Sequence, residues 1–137
     1  MIIKEATLER IGSPTETVEM MKTIINGRPE EEQHREYFYS IGLNSQNKTI
    51  YVDLVTLGDI NECRPNLREI LSMALIKHAS SLILYHNHPD KTNKASDEDV
   101  TFTKRCIGVA KEIGLNILDH IIIAGDKYTS LRVEGLI

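Results

Sequence analysis

Apolar residues in this chain recur first at helical spacing and then in strand-like runs. SPTETVEMMKTIINGR, residues 13–28, places Val18, Met21 and Ile25 three and four residues apart. Ser13 suits an N-cap, Pro14 the first helical position, Glu16 the third position of a capping box and Gly27 the stop. The spacing predicts an amphipathic helix whose methionines fill core, preceded by a short extended segment. EYFYSIGLN (36–44) and TIYVDLVTLG (49–58) are β-branched and aromatic runs joined by SQNK, and they predict an antiparallel hairpin ending at Gly58. NLREILSMALIKHA (66–79) sets Leu67, Ile70, Leu71, Ala74, Leu75 and His78 on one helical stripe, with SSLILYH as a strand behind it. His78, near that helix's C-terminus, reads as a surface or capping residue that complements the dipole.

SDEDVTFTKRCIGVAKEIG (96–114) has acids in its first turn, Lys and Arg later, and Gly114 just past its end. Val100, Phe102, Cys106, Val109 and Ile113 are its apolar positions. LNILDHIIIAG and YTSLRVE, joined by GDK, predict a second hairpin. No repeat, linker or low-complexity tract interrupts the pattern.

Composition narrows the classes. With 137 residues, 41% hydrophobic, the expectation is one domain over 1–137 with its own core. A net charge of -4 gives no basic footprint for phosphate, so DNA binding is not supported by charge. No apolar run approaches the roughly 20 residues that span a bilayer. MIIKEATLER turns charged sooner than the apolar core of about 7 to 15 residues in a signal peptide allows. A cytoplasmic location is expected, with Cys63 and Cys106 reduced. A homodimer through exposed sheet edges is compatible with the sequence, although no residue demands one.

The chemistry concentrates in LILYHNHPDKTNKASDEDV, residues 82–100. His86 and His88, two apart on a strand, share a face at about 6.6 Å between Cα atoms and can converge on one ion. A catalytic zinc takes three protein ligands and leaves a fourth position to water. Asp99, on the first turn of the following helix, is the candidate third ligand. Ser96-x-x-Asp99 is equally an ordinary capping box, and on those residues alone that is the simpler reading. The conjunction of two same-face histidines, a strand-stopping Pro89 and a capped helix is what favours a metal.

His86-x-His88-Pro89, seven residues from Pro89 to Ala95, then Ser96-x-x-Asp99 resembles the metal-binding motif of the JAB/MPN (JAMM) metalloprotease superfamily. LILYHNHP, with NLREILSMALIKHASS before it and LDHIIIAGDKYTSL after it, resembles its RadC-type branch, over about Ser13 to Arg132. The resemblance implies an α/β (α+β) single-domain cytidine-deaminase-like fold, a mixed β-sheet flanked by helices. It implies Zn2+ held by His86, His88 and Asp99, with Ser96 stabilising the tetrahedral intermediate and Glu36, in HREYF, activating water and carrying its proton. Glu30, Glu31 and Glu32 read as a solvated run. Asp119 and His120 match the family's DH pair and are expected in orienting or structural roles, with Ser130 beside them. Cys63 reads as a plain loop cysteine.

Two departures stand out. DKTNKA lacks the family's Gly and extra Pro, with Ala95 at the usual Pro, so a less rigid loop is expected, with Lys91 and Lys94 on the rim. Leu67 replaces the Pro of the family's PRE, leaving Arg68 and Glu69. The implied activity is zinc-dependent hydrolysis of a peptide, isopeptide or amide bond in a peptide or protein substrate. The alternatives are a noncatalytic interaction module and a DNA-repair-associated protein, the family's label. The helix-hairpin-helix segment often found before this domain is not expected here, and HNH at 86–88 is not the pattern of an HNH nuclease.

Overall fold

Ser13 accepts from the Glu16 N–H and starts helix α1 (Pro14–Asn26), with Pro14 in the first turn and Gly27 as C-cap. Glu16 reaches one residue further back than expected, its carboxylate taking the Gly12 N–H at 2.8 Å. The structure, a computed structural model, describes residues 1–5, 9–58, 65–89 and 92–137. Its other elements are β1 (Ile2–Glu5), α2 (Glu30–Gln33), β2 (Glu36–Leu43), β3 (Thr49–Gly58), α3 (Leu67–Ile76), β4 (Ser81–Asn87), α4 (Asp97–Glu112), β5 (Asn116–Ala124) and β6 (Lys127–Ser130). Cys63 and Lys91 lie outside the described residues.

The strands form one six-stranded mixed sheet in the order β1-β3-β2-β4-β5-β6, in which β4 and β5 are parallel and the other neighbours antiparallel. Helices cover both faces, so β2 and β4 are buried almost continuously instead of alternating. Val18, Met21 and Ile25 of α1 pack on Tyr39, Ile41, Ile83, Tyr85 and Ile121. Ile70, Leu71 and Ala74 of α3 and Cys106 and Ala110 of α4 pack on Phe38, Tyr51, Leu82, Leu84 and Ile117 on the opposite face. Gly42 lies opposite Tyr51 in the β2–β3 pair, and a Cβ there would fall 2.1 Å from Tyr51 Cε1. The absence of a side chain is what lets that ring lie flat on the strand.

Several expectations are corrected by packing. The α3 stripe buries Ile70, Leu71 and Ala74 but leaves Leu75 exposed, while His78 lies on the surface as its sequence reading expects, at φ +57, the left-handed position that follows a helix end. The buried face of α4 is Thr103, Cys106 and Ala110, while Val109 and Ile113 face outward. The run of acids at 30–32 is a single helical turn, and Glu32 is half-buried against Arg28, with Oε2 2.8 Å from a guanidinium nitrogen. The last strand stops at Ser130 instead of running through YTSLRVE. There the Asp119 carboxylate accepts from the Ser130 hydroxyl and, at 3.1 Å, from the Arg132 N–H, bending the chain into turns. Among the described residues, no helix is long and apolar enough to cross a membrane.

Candidate metal centre

Strand β4 delivers the histidines. His86 pairs with Phe38 of β2 and with Ile122 of β5. The ladder outlasts the named strand by one residue, since His88 N–H donates to the Ile123 carbonyl at 2.9 Å, so alternation carries both imidazoles to one side. The intervening Asn87 points the other way and latches the start of β2, accepting from Tyr37 N–H at 2.8 Å and donating to the Arg35 carbonyl at 2.9 Å. Glu36, between those two anchors, is thereby fixed at the start of β2, on the same cleft wall as His86.

The chain leaves β4, crosses through α4 and returns as the parallel β5, which sets the α4 N-terminus at the carboxyl end of the strands, the usual place for ligand chemistry in such crossovers. Ser96 caps α4: its Oγ accepts from Asp99 N–H at 3.0 Å while Asp99 Oδ2 accepts from Ser96 N–H at 2.9 Å. The same carboxylate faces the histidines, Oδ1 3.3 Å from His86 Nε2 and Oδ2 3.1 Å from His88 Nε2. Capping and ligation, which compete as readings of the sequence, are compatible here, because the cap holds the carboxylate in place for the histidines. The loop between is tied down by Asn93, which donates to Thr129 Oγ1 at 3.1 Å and to the Tyr128 carbonyl at 3.3 Å.

His86, His88 and Asp99 offer ligand atoms that all lie within 4.8 Å of one another and could hold a metal ion. Tetrahedral zinc with bonds of about 2.0 to 2.1 Å separates its ligand atoms by about 3.3 Å, and each imidazole nitrogen stands near that distance from one oxygen of the carboxylate, Oδ1 for His86 and Oδ2 for His88. Hydrogen placement, assigned from partners, supports the fit. His88 Nδ1 is 2.9 Å from the Thr92 carbonyl, which can only accept, so Nδ1 carries a hydrogen and Nε2 is the atom turned toward the carboxylate. Burial pushes His86 below its ordinary pKa, and His88 adds to this, although the hydrogen bond and charge of Asp99 act against it. Burial alone would raise Asp99, but hydrogen bonds with His86 and His88, the charge of His86 and the Ser96 N–H together hold it well below the usual carboxylate range. An ionised carboxylate beside two imidazole nitrogens is a donor set made for a cation.

A cleft of about 270 Å³ opens over these groups, lined by Glu36, Phe38, Pro65, His86, Glu98, Asp99, Phe102 and His120. Glu36, the first residue of β2, therefore shares a wall with His86 and Asp99; Ser96 does not line the cleft and is joined to it through Asp99. Phe38 stacks on His86 at 5.5 Å between ring centres and meets His120 at 5.4 Å, forming the floor.

The DH pair divides its work. Asp119 is structural, holding Ser130, the Arg132 N–H and, at 2.8 Å, the His120 N–H. His120 touches a ligand, its Nε2 2.7 Å from His86 Nδ1. Burial pushes His120 well below its ordinary pKa, with the charge of His86 in the same direction. Its orientation depends on a break in register: Leu82 pairs with Ile117, but Ile83 pairs with Asp119, so Leu118 is an extra residue. The bulge lets Ile117 and His120, three apart, face the same helices, a parity that an unbroken strand forbids.

Thr103 is a site residue that the sequence reading passed over. Its hydroxyl lies 2.6 Å from His120 Nδ1 and 2.6 Å from the Asp99 carbonyl oxygen. The available signal was a hydroxyl four residues after Asp99 in the apolar stripe of α4. Thr92, Asn87 and Phe38 were also missed, and only the structure brings them to the ligands.

The chain matches the family model described as a RadC-like JAB domain over residues 11–136. Among curated relatives it is 40% identical over 103 residues to a "UPF0758 protein" of Desulforamulus reducens, covering 75% of this chain and 45% of that protein. A "UPF0758 protein" of Clostridium acetobutylicum is 42% identical over 104 residues, covering 76% of this chain and 45% of its own length. One from Methanosarcina mazei is 32% identical over 133 residues, 97% of this chain and 56% of that protein. The chain thus spans about half the length of the curated relatives it matches.

Proposed function

Because this chain belongs to the RadC-like JAB domain family, we propose that it is a zinc-dependent metallohydrolase acting on a peptide, isopeptide or amide bond of a peptide or protein in the cytoplasm. The observation that carries this reading is the meeting of two imidazole nitrogens and a carboxylate, with His86 and Asp99 lining the same cleft as Glu36. A cytidine-deaminase-like arrangement of the sheet and helices belongs to the same proposal.

Zinc held by His86, His88 and Asp99 supplies Lewis acidity toward the carbonyl and lowers the pKa of a nearby water from 15.7 to about 7. Glu36, on the cleft wall, takes the proton of the attacking water and returns it to the leaving amine, which a carboxylate can do only within hydrogen-bond reach. Ser96 Oγ accepts from Asp99 N–H, so its own hydrogen is available to donate to the developing oxyanion, a contribution of about 3 kcal/mol in comparable sites, when the substrate carbonyl extends from the cleft to the α4 N-terminus. Phe38 and Phe102 line the cleft with apolar surface and limit water around the reacting groups.

The test is hydrolysis of peptide and isopeptide libraries by zinc-loaded protein beside chelated protein and the Glu36→Gln variant. Turnover that needs zinc and Glu36 supports the proposal. No turnover by a zinc-loaded chain over a broad library would confine the metal to a structural or binding role.

A further inference from the structure

The loop that carries the chain from His88 to the α4 cap is not stiffened by its composition. After Pro89 it reads DKTNKA, with neither proline nor glycine, so little of its backbone freedom is removed before folding. Thr92 and Lys94 are exposed, while Asn93 between them is half-buried. Asn93 turns in toward β6, where its amide nitrogen donates to Thr129 Oγ1 at 3.1 Å and to the Tyr128 carbonyl at 3.3 Å. A carbonyl only accepts, so the amide presents its nitrogen there, and its two hydrogens match the two acceptors. The Thr92 carbonyl, which accepts from His88 Nδ1 at 2.9 Å, lies in the same peptide plane as the Asn93 N and Cα. Fixing the Asn93 side chain therefore fixes the direction in which that carbonyl points.

The post to which Asn93 is tied is itself held. Ile122 pairs with His86 on one side and with Thr129 on the other, so Thr129 stands in the row of His86, about 10 Å away at 4.7 to 4.9 Å per strand. The Tyr128 hydroxyl shares a 2.7 Å hydrogen bond with Thr15 Oγ1 on α1, and the Ser130 hydroxyl donates to Asp119. We propose that Asn93 is a positioning residue for the metal: it latches the loop to β6 and thereby holds the Thr92 carbonyl against His88, keeping that imidazole on the side where His86 and Asp99 meet. The latch acts by direction, since among the described residues Asn93 hydrogen-bonds none of the three candidate ligands. It also gives Asp119 a bearing on a cleft that it does not line, because Asp119 holds Ser130, the neighbour of Thr129.

The inference rests on the metal reading, and one set of measurements separates the two. Zinc affinity is read by competition with a chromophoric chelator, and the visible spectrum of the cobalt-substituted chain reads the ligand geometry. Asn93→Leu keeps the size and removes both donors. Its zinc affinity is expected to fall about 10-fold, with cobalt bands changed in position or intensity as His88 loses alignment. A role in fold stability alone would leave both readings of the folded chain unmoved. Thr129→Val removes one acceptor from the other end of the latch and should weaken zinc binding less. The double variant should bind zinc no more weakly than Asn93→Leu, because both changes break one latch, and losses that add in full would overturn it. If Asn93→Leu does not fold, Thr129→Val decides, and an unchanged zinc affinity there refutes the latch. A wild type that takes up neither zinc nor cobalt refutes the metal reading and the latch's role with it. A wild type that binds zinc beside a folded Asn93→Leu chain of equal affinity and unchanged cobalt spectrum refutes the latch alone.

Discussion

Asp99 caps α4 and, in the proposed function, also holds the metal, and two substitutions separate the two roles. Asp99→Ala removes both the capping bond to Ser96 N–H and the charge facing His86 and His88. Asp99→Asn keeps an amide oxygen for the cap and can place an N–H against an imidazole lone pair, but loses the anionic ligand. Loss of a cap costs about 1 kcal/mol. For 137 residues the unfolding entropy is about 0.29 kcal/mol/K, so each kcal/mol moves the Tm by about 3.5 °C. Without metal, Asp99→Ala should melt about 3 to 4 °C below wild type, and Asp99→Asn, which keeps the cap oxygen but loses the charge that the histidines stabilise, between Asp99→Ala and wild type. With free zinc at about 100 times its Kd, binding adds about 2.7 kcal/mol to the wild type, a rise of about 9 °C, and almost nothing to either variant. The assay is a thermal melt of untagged protein in chelator and in buffered zinc. If Asp99→Asn gains the wild-type increment from zinc, Asp99 is not a ligand. If Asp99→Ala costs nothing in chelator, the cap is not what holds α4 in place.

Other consequences are open to direct test. Gly42→Ala should lower stability by about 3 kcal/mol in urea unfolding, because the new Cβ meets a fully buried Tyr51 ring with nowhere to move; a change below 0.5 kcal/mol would show that the ring can shift. Glu36→Gln should keep its zinc and lose roughly 10² to 10⁴ in rate on any substrate found, and an unimpaired rate removes Glu36 from the chemistry. Burial pushes the Cys106 thiol up to about 11, so iodoacetamide should label that position, read by peptide mapping, only after denaturation. Because the folded pKa lies above the unfolded one, the thiol's contribution to stability is complete below about pH 9 and is lost between pH 9 and 11. Labelling of native protein at pH 8 would contradict the buried placement.

Local rules made much of this molecule legible. Ser13, Pro14 and Gly27 bound α1, and the β2–β3 hairpin follows from two strand-like runs around a polar turn. That His86, His88 and Asp99 come together was readable because strand alternation and a helix cap are both short-range. What escaped is set by tertiary packing. Leu75 and Val109 obey helical periodicity, but each helix meets the sheet along a narrow line, which leaves them outside it. The bulge at Leu118 carries no mark in NILDHIII, yet it decides which way His120 points. Thr103 resembled a helix filler because its value lies in a partner 17 residues away. Ser96 and Asp99 invited a choice between cap and ligand that the geometry does not require.

The central claim, that His86, His88 and Asp99 hold a zinc ion, is tested most directly by the metal content of untagged protein prepared without chelator, wild type beside Asp99→Ala, by mass spectrometry. About one zinc per wild-type chain is expected, with little or none in the variant. A wild type that is metal-free as prepared and takes up no zinc when it is offered would contradict the claim and return Ser96 and Asp99 to the single role of capping α4.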